Sequence, residues 1–135
     1  GGQKGWDRQR LAAKEAAMSY DIKIVFDGEH LDSPIVHHVK GGTYALGGSK
    51  SLEMNITFNY SQHFQKAFQN EEGIKSLAGV KCIDAIPLIV EAMRRLGDDE
   101  TSNYWDPTEG NAKRALEGLL HIAALGYHGR IAIFY

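Results

Sequence analysis

The sequence predicts an α+β fold: one domain with a mostly antiparallel sheet of about four strands, three helices packed on one face, and a further helix at the N-terminus. Three observations carry that prediction. Apolar and polar residues alternate over residues 20–26 and 52–60, the period of half-buried strands. From residue 61 to residue 123 the apolar spacing becomes helical. Strands therefore precede helices instead of alternating with them. That order favours an antiparallel sheet with segregated helices over a parallel, doubly wound one.

Residues 8–17 are rich in Ala, Lys, Glu, Arg and Leu, all good helix formers. Their apolar face is thin (Leu11, Ala12 and Ala16, with Trp6 upstream), so such a helix needs a surface to dock on. Residues 1–17 read as a leader or upstream extension, with Met18 as a natural start and residues 18–135 as the α+β domain. In the first strand Tyr20, Ile22, Ile24 and Phe26 share a face, opposite Asp21, Lys23 and Val25. Asp27, Gly28 and Glu29 turn the chain, and residues 35–40 form the second strand after Pro34. The third strand is the most regular: Leu52, Met54, Ile56, Phe58 and Tyr60 lie on one side, Glu53, Asn55, Thr57 and Asn59 on the other. Its polar side implies a sheet open to solvent or ligand on one face.

Ser61 is placed to cap a short helix carrying Phe64, Ala67 and Phe68. Residues 74–80 are short and ambiguous between the two periods. Asp84 suits the N-cap of the next helix, which puts Pro87 in the first turn, where its missing N–H costs little. That helix carries Ile86, Ile89, Val90, Met93 and Leu96, ends on Arg94 and Arg95, and is closed by Gly97. Asp106, Pro107 and Glu109 read as N-cap, N1 and N3 of a third helix, with Ala112, Ala115, Leu116, Leu119 and Ala123 as its core stripe and Gly126 beyond its end. Residues 130–135 form the last strand, pairing with the first or the third. The run Ile131, Ala132, Ile133, Phe134 suits a strand buried on both faces or pairing centrally.

A chain of 135 residues with 43% hydrophobic and 24% charged residues is long enough to bury a core and has ordinary globular composition. Its net charge of -2 lacks the basic excess that phosphate neutralisation demands, so nucleic acid is not the expected partner. Cys82 is the sole cysteine; it excludes an internal disulfide and reads as a small buried hydrophobe. No apolar run approaches the roughly 18 residues of a membrane span, and the expected setting is cytoplasmic. Six histidines (His30, His37, His38, His63, His121, His128) show no His-x-His or His-Glu-x-x-His spacing, so neither a metal nor another cofactor is expected.

The sharpest local feature is the stretch HHVKGGTYALGGSK, residues 37–50. Gly42 and Gly47 have the separation of a phosphate-binding loop, but Lys50 comes two residues late and a strand follows instead of a helix. A loop between strands remains. Gly41, Gly42, Gly47 and Gly48 supply backbone freedom at both ends of a lifted segment that includes Thr43 and Tyr44. Either Tyr44 and Leu46 fold back onto the core, or the loop amides, Thr43 and Tyr44 meet a ligand or partner. The polar side of the third strand, Asn55 and Asn59, extends this candidate surface. So does the loop before the third helix, where Tyr104 and Trp105 precede a helix N-terminus and Asn111 follows it. The alternative for Trp105 is a hydrophobic staple. For catalysis an acid–base pair such as His38 with Asp32 is available, as in any chain of this size, without the Gly-x-Ser-x-Gly elbow or other local signature of a hydrolase.

Taken together, HHVKGGTYALGG, NITFNY and YWDPTEGNAKRALEGLL resemble small uncharacterised proteins of bacterial phages and prophages, over residues 20–135. The resemblance implies a context, not an activity or a site: such proteins bind and block, or sequester, something in the host. The expectation is a non-enzymatic binding protein acting on a host protein or a small nucleotide-like ligand, compatible with a homo-oligomer. The competing reading is a small hydrolase or transferase using the His38 and Asp32 pair.

Overall fold

The computed structural model describes residues 19–39 and 49–135. The helix expected over residues 8–17 and the glycine-bracketed loop lie outside them. The described elements run β1 (Ser19–Phe26), β2 (Glu29–His30), β3 (Asp32–His37), β4 (Ser49–Ser51), β5 (Glu53–Thr57), α1 (Ser61–Phe68), α2 (Cys82–Arg94), α3 (Glu109–Leu125) and β6 (Arg130–Phe134). Helices and an antiparallel four-stranded sheet are both present, as the alternation and its switch predict.

β1 organises the sheet. Tyr20, Ile22 and Ile24 are buried, while Asp21 is exposed and Lys23 partly so. β6 runs antiparallel along one edge, with Ile24 opposite Ile131 and Ile22 opposite Ile133. Two strands share the other edge end to end: β5 beside residues 19–23 and β2 beside Val25 and Phe26. Ile24 is the handover point. Its N–H donates to Leu52 O at 2.9 Å and its C=O accepts from Leu31 N at 2.9 Å. Between Leu31 and Leu52 the chain leaves the sheet as a two-stranded arm of β3 and β4, with Asp32 opposite Ser51, His37 opposite Ser49 and an irregular register between. The second strand expected over residues 35–40 is thus corrected. It begins at Asp32, ends at His37 and belongs to the arm, not to the main sheet.

The C-terminal end of α3 sits on the root of that arm. A Cβ on Gly126 would lie 2.8 Å from Ile24 Cγ2 and 2.9 Å from Leu52 Cδ1, so only glycine permits this approach. Ile22, Ile24, Ile56, Phe64, Ile89, Leu116, Leu119 and Ile122 are fully buried in one cluster shared by sheet and helices.

Five local expectations change. The strand expected over residues 52–60 stops at Thr57, and Phe58–Tyr60, with Asn59, form a 3-10 turn instead. Tyr60, not Ser61, is the N-cap of α1, because this turn runs straight into the helix and Ser61 already has helical backbone angles; its hydroxyl meets Tyr20 Oη at 2.6 Å. α2 starts at Cys82 instead of after Asp84, so Pro87 lies inside the helix and the buried stripe is Cys82, Ala85, Ile89 and Ala92. α3 is capped by Thr108, whose Oγ1 accepts from Asn111 N at 3.0 Å; Asp106 is committed to the preceding loop. β6 pairs with β1, but among the described residues its outer edge is covered in its first half alone, by Gly79 N to Ile131 O (2.7 Å) and Ile131 N to Val80 O (3.0 Å); Phe134 stays 55% exposed. The core stripe expected for α3 is buried throughout.

Candidate functional site

The loop between α2 and α3, residues 98–108, is fixed from below by one side chain. Asn111 is buried in the first turn of α3. Its Nδ2 donates to Thr101 Oγ1 (3.1 Å), Asn103 O (3.1 Å) and Asp106 O (3.0 Å), and its Oδ1 accepts from Thr101 N (3.1 Å). The loop lies so close to the helix that a Cβ on Gly110 would meet Glu100 N at 2.6 Å and Asp99 C at 2.7 Å. Ion pairs from Lys113 to Asp98 and from Arg114 to Glu100 tie its far side to α3. The acidic side chains of this loop are therefore mostly engaged within the chain.

The aromatic pair sits where this loop meets the sheet. In β5, Asn55 and Thr57 turn their backbone groups away from β1, because the paired rungs there are Ile22 with Met54 and Tyr20 with Ile56. Tyr104 closes that free edge. Its hydroxyl accepts from Thr57 N at 3.0 Å and donates to Asn55 O at 3.5 Å, standing in for one residue of a neighbouring strand. Tyr60 Oη donates to Tyr104 O. Burial pushes the Tyr60 phenol far above its ordinary value, so it stays a donor.

Trp105 follows on a backbone held at both ends: its N–H donates to Asn103 Oδ1 (3.1 Å) and its carbonyl accepts from Asn59 Nδ2 (3.0 Å). His63 Nε2–H donates to Pro107 O at 2.7 Å. Against this fixed frame the Trp105 ring remains 51% exposed, edge-on to Tyr104 at 5.1 Å between centroids. A staple would be covered.

A second concavity, about 330 Å³, opens between the arm (His37, Val39, Ser49, Ser51) and the sheet (Asp21, Lys23, Glu53, Asn55). His37 is buried and spans the arm: its Nδ1 accepts from Val39 N (3.3 Å), which leaves Nε2–H to donate to Ser51 O (2.6 Å). Asn55 Nδ2 donates to Ser19 Oγ (2.8 Å) and Asp21 Oδ1 (2.7 Å).

Of the residues nominated from sequence, Asn59, Tyr104, Trp105 and Asn111 are brought into one network, and Asn55 reaches it through its carbonyl. Asn111 spends its amide on the loop. Gly41, Gly42, Thr43, Tyr44, Gly47 and Gly48 lie outside the described residues, so the loop's backbone conformation and the surroundings of Tyr44 do too. His38 is exposed, and the partner of Asp32 is His30, at 3.4 Å. Among the described residues no group of three or more His, Cys, Asp or Glu side chains is placed to share a metal ion. No helix among them is long and apolar enough to cross a membrane. Cys82 is buried, which pushes its thiol up to about 11 and away from nucleophilic use at neutral pH. The sequence does not single out Tyr60 or Thr101, and it marks Asn103 only as the start of the candidate loop, not as a tie within it. A signal was present in Thr101 and Asn103, short polar residues that favour local hydrogen bonds to backbone. Compared with protein-family models, with characterised proteins and with solved structures, the chain matches none.

Proposed function

We propose that this is a non-enzymatic binding protein whose recognition surface centres on Trp105, with another protein as partner. The observation that carries the reading is a half-exposed tryptophan on a backbone already fixed by Asn59, Asn103 and Asn111. An aromatic anchor that is ordered before binding avoids most of the entropy cost of immobilising a loop. The phage-type resemblance supplies the context, a host protein that is blocked or sequestered. The hydrolase or transferase alternative would need His38 beside an acid; Asp32 instead meets His30, and the buried Cys82 thiol is held protonated.

The test is Trp105→Ala measured two ways. A recognition anchor loses about 2 kcal/mol or more of affinity, roughly 30-fold in Kd, for a protein captured from bacterial extract, with the melting temperature unchanged. Capture at wild-type strength together with a clear fall in melting temperature would make Trp105 a packing residue and sink the proposal.

A further inference from the structure

The end of the sheet opposite Trp105 carries a different surface. Asp27 (φ 53°) and Gly28 (φ 80°) make the tight turn from β1 to β2, both left-handed as a two-residue hairpin of the primed type requires. Phe26 is the last rung of β1, opposite Glu29 at the turn, and is 51% exposed. The loop after α3 returns beside it. The His128 ring meets Phe26 edge-on at 5.1 Å and Tyr127 at 5.5 Å between centroids. Tyr127 and Ile83 are exposed as well. Lys81 and Arg130 face each other as an antiparallel bridge, so their side chains leave the same side of the backbone. Arg130 Nη1 donates to Gly79 O at 3.0 Å, which steadies the guanidinium and leaves its other donors available. Neither cation pairs with a carboxylate among the described residues. Together these groups line a cleft of about 600 Å³, with Asp27 the one acid on its described wall.

We propose that this cleft binds a planar aromatic anion of the nucleoside monophosphate class, with its ring against Phe26 and Tyr127 and its phosphate held by Lys81 and Arg130. Two exposed cations alone hold free phosphate weakly, because water and salt screen them. The aromatic wall alone does not distinguish one flat apolar molecule from another. Set side by side, the two halves select a molecule carrying both a ring and an anion. Arg130 offers the planar donor fork that suits phosphate, and Lys81 the compact charge beside it. The site shares no residue with the Trp105 surface, so it stands or falls independently of the function proposed above.

The experiment is calorimetric titration with adenosine monophosphate, and with adenosine and inorganic phosphate as separate arms. Saturable binding is expected for the nucleotide, with adenosine and phosphate each at least about tenfold weaker. The double variant Lys81→Ala/Arg130→Ala and the single variant Tyr127→Ala should each weaken nucleotide binding about tenfold or more, while Arg94→Ala, remote at the other end of α2, should not. All of these side chains are exposed, so melting temperatures should match the wild type. As a readout free of mutagenesis, the backbone amide resonances of Ile83, His128 and Arg130 should shift on titration in the unaltered protein. Failure to saturate by about 10 mM, adenosine binding as well as its monophosphate, or shifts confined to other residues overturns the proposal.

Discussion

Asn111 offers the most discriminating perturbation of the frame that presents Trp105. Its two amide N–H hydrogens are shared among three acceptors at 3.0–3.1 Å and its Oδ1 accepts one bond at 3.1 Å, all with the loop that carries Tyr104 and Trp105. At about 0.5–1.5 kcal/mol net for each hydrogen bond, and allowing for water reaching the exposed Thr101 and Asn103, Asn111→Ala should cost about 2–4 kcal/mol. Asn111→Asp separates two physical accounts. Near a helix N-terminus a carboxylate is favoured by the dipole, so an account based on the helix alone makes the variant neutral or more stable. The hydrogen-bond account makes it worse, because a carboxylate cannot donate and would face the carbonyls of Asn103 and Asp106. Urea unfolding at pH 7 measures both variants, with the slope m checked for constancy so that midpoint shifts report stability. An Asn111→Asp protein as stable as the wild type, or an Asn111→Ala cost below about 1 kcal/mol, would refute the keystone role.

Tyr104→Phe removes the hydroxyl that bridges Thr57 N and Asn55 O on the outer edge of β5. It should cost about 1 kcal/mol and raise self-association in sedimentation at high concentration, as a freed strand edge pairs with another chain. The Glu109 carboxyl is held below the usual carboxylate range, first by Lys66 at 2.8 Å and then by the Gly97 N–H at 3.2 Å. A depressed folded value stabilises above the unfolded value and is lost as pH falls through the folded one. Midpoints of urea unfolding between about pH 5 and about pH 3 should therefore drop more steeply for the wild type than for Glu109→Gln, and equal slopes would refute the pairing.

The parts of this molecule legible in the sequence are those where a periodicity reports a face. β1 and β5 were visible because Tyr20, Ile22, Ile24, Met54 and Ile56 recur every second residue and all end up buried. The α3 stripe was visible for the corresponding helical reason. Capping was harder, since the stretch from Asp106 to Glu109 contains two competent caps. Asp106 was claimed by Thr101 and Asn103 across the loop, so Thr108 took the helix and moved its start. A similar competition misled the reading of Asn111. Its position beside a helix N-terminus is equally suited to a ligand contact and to an inward tie, and only the path of the preceding loop decides which.

The arm was illegible for a deeper reason. Alternation says which side of a strand is buried but not which strand lies beside it. The stretch from Leu31 to Leu52 contains strand-like residues on both sides of its glycines, and nothing in their pattern marks a departure from the sheet. The departure is decided by Ile24, a residue outside the stretch. Its N–H and C=O point to the same edge, and they are claimed by two chain segments 21 positions apart, Leu52 and Leu31. Once both bonds are made, β2 and β5 have used the available edge of β1 between them. Among the described residues between them, Asp32 pairs with Ser51 and His37 with Ser49 instead. Gly126 then sets how closely α3 presses on that junction, since any side chain there would meet Ile24, Leu31 and Leu52 together. The arm is thus a consequence of long-range backbone accounting at one residue, and its root belongs to the core even though Ile35 and Val36 along it stand in solvent.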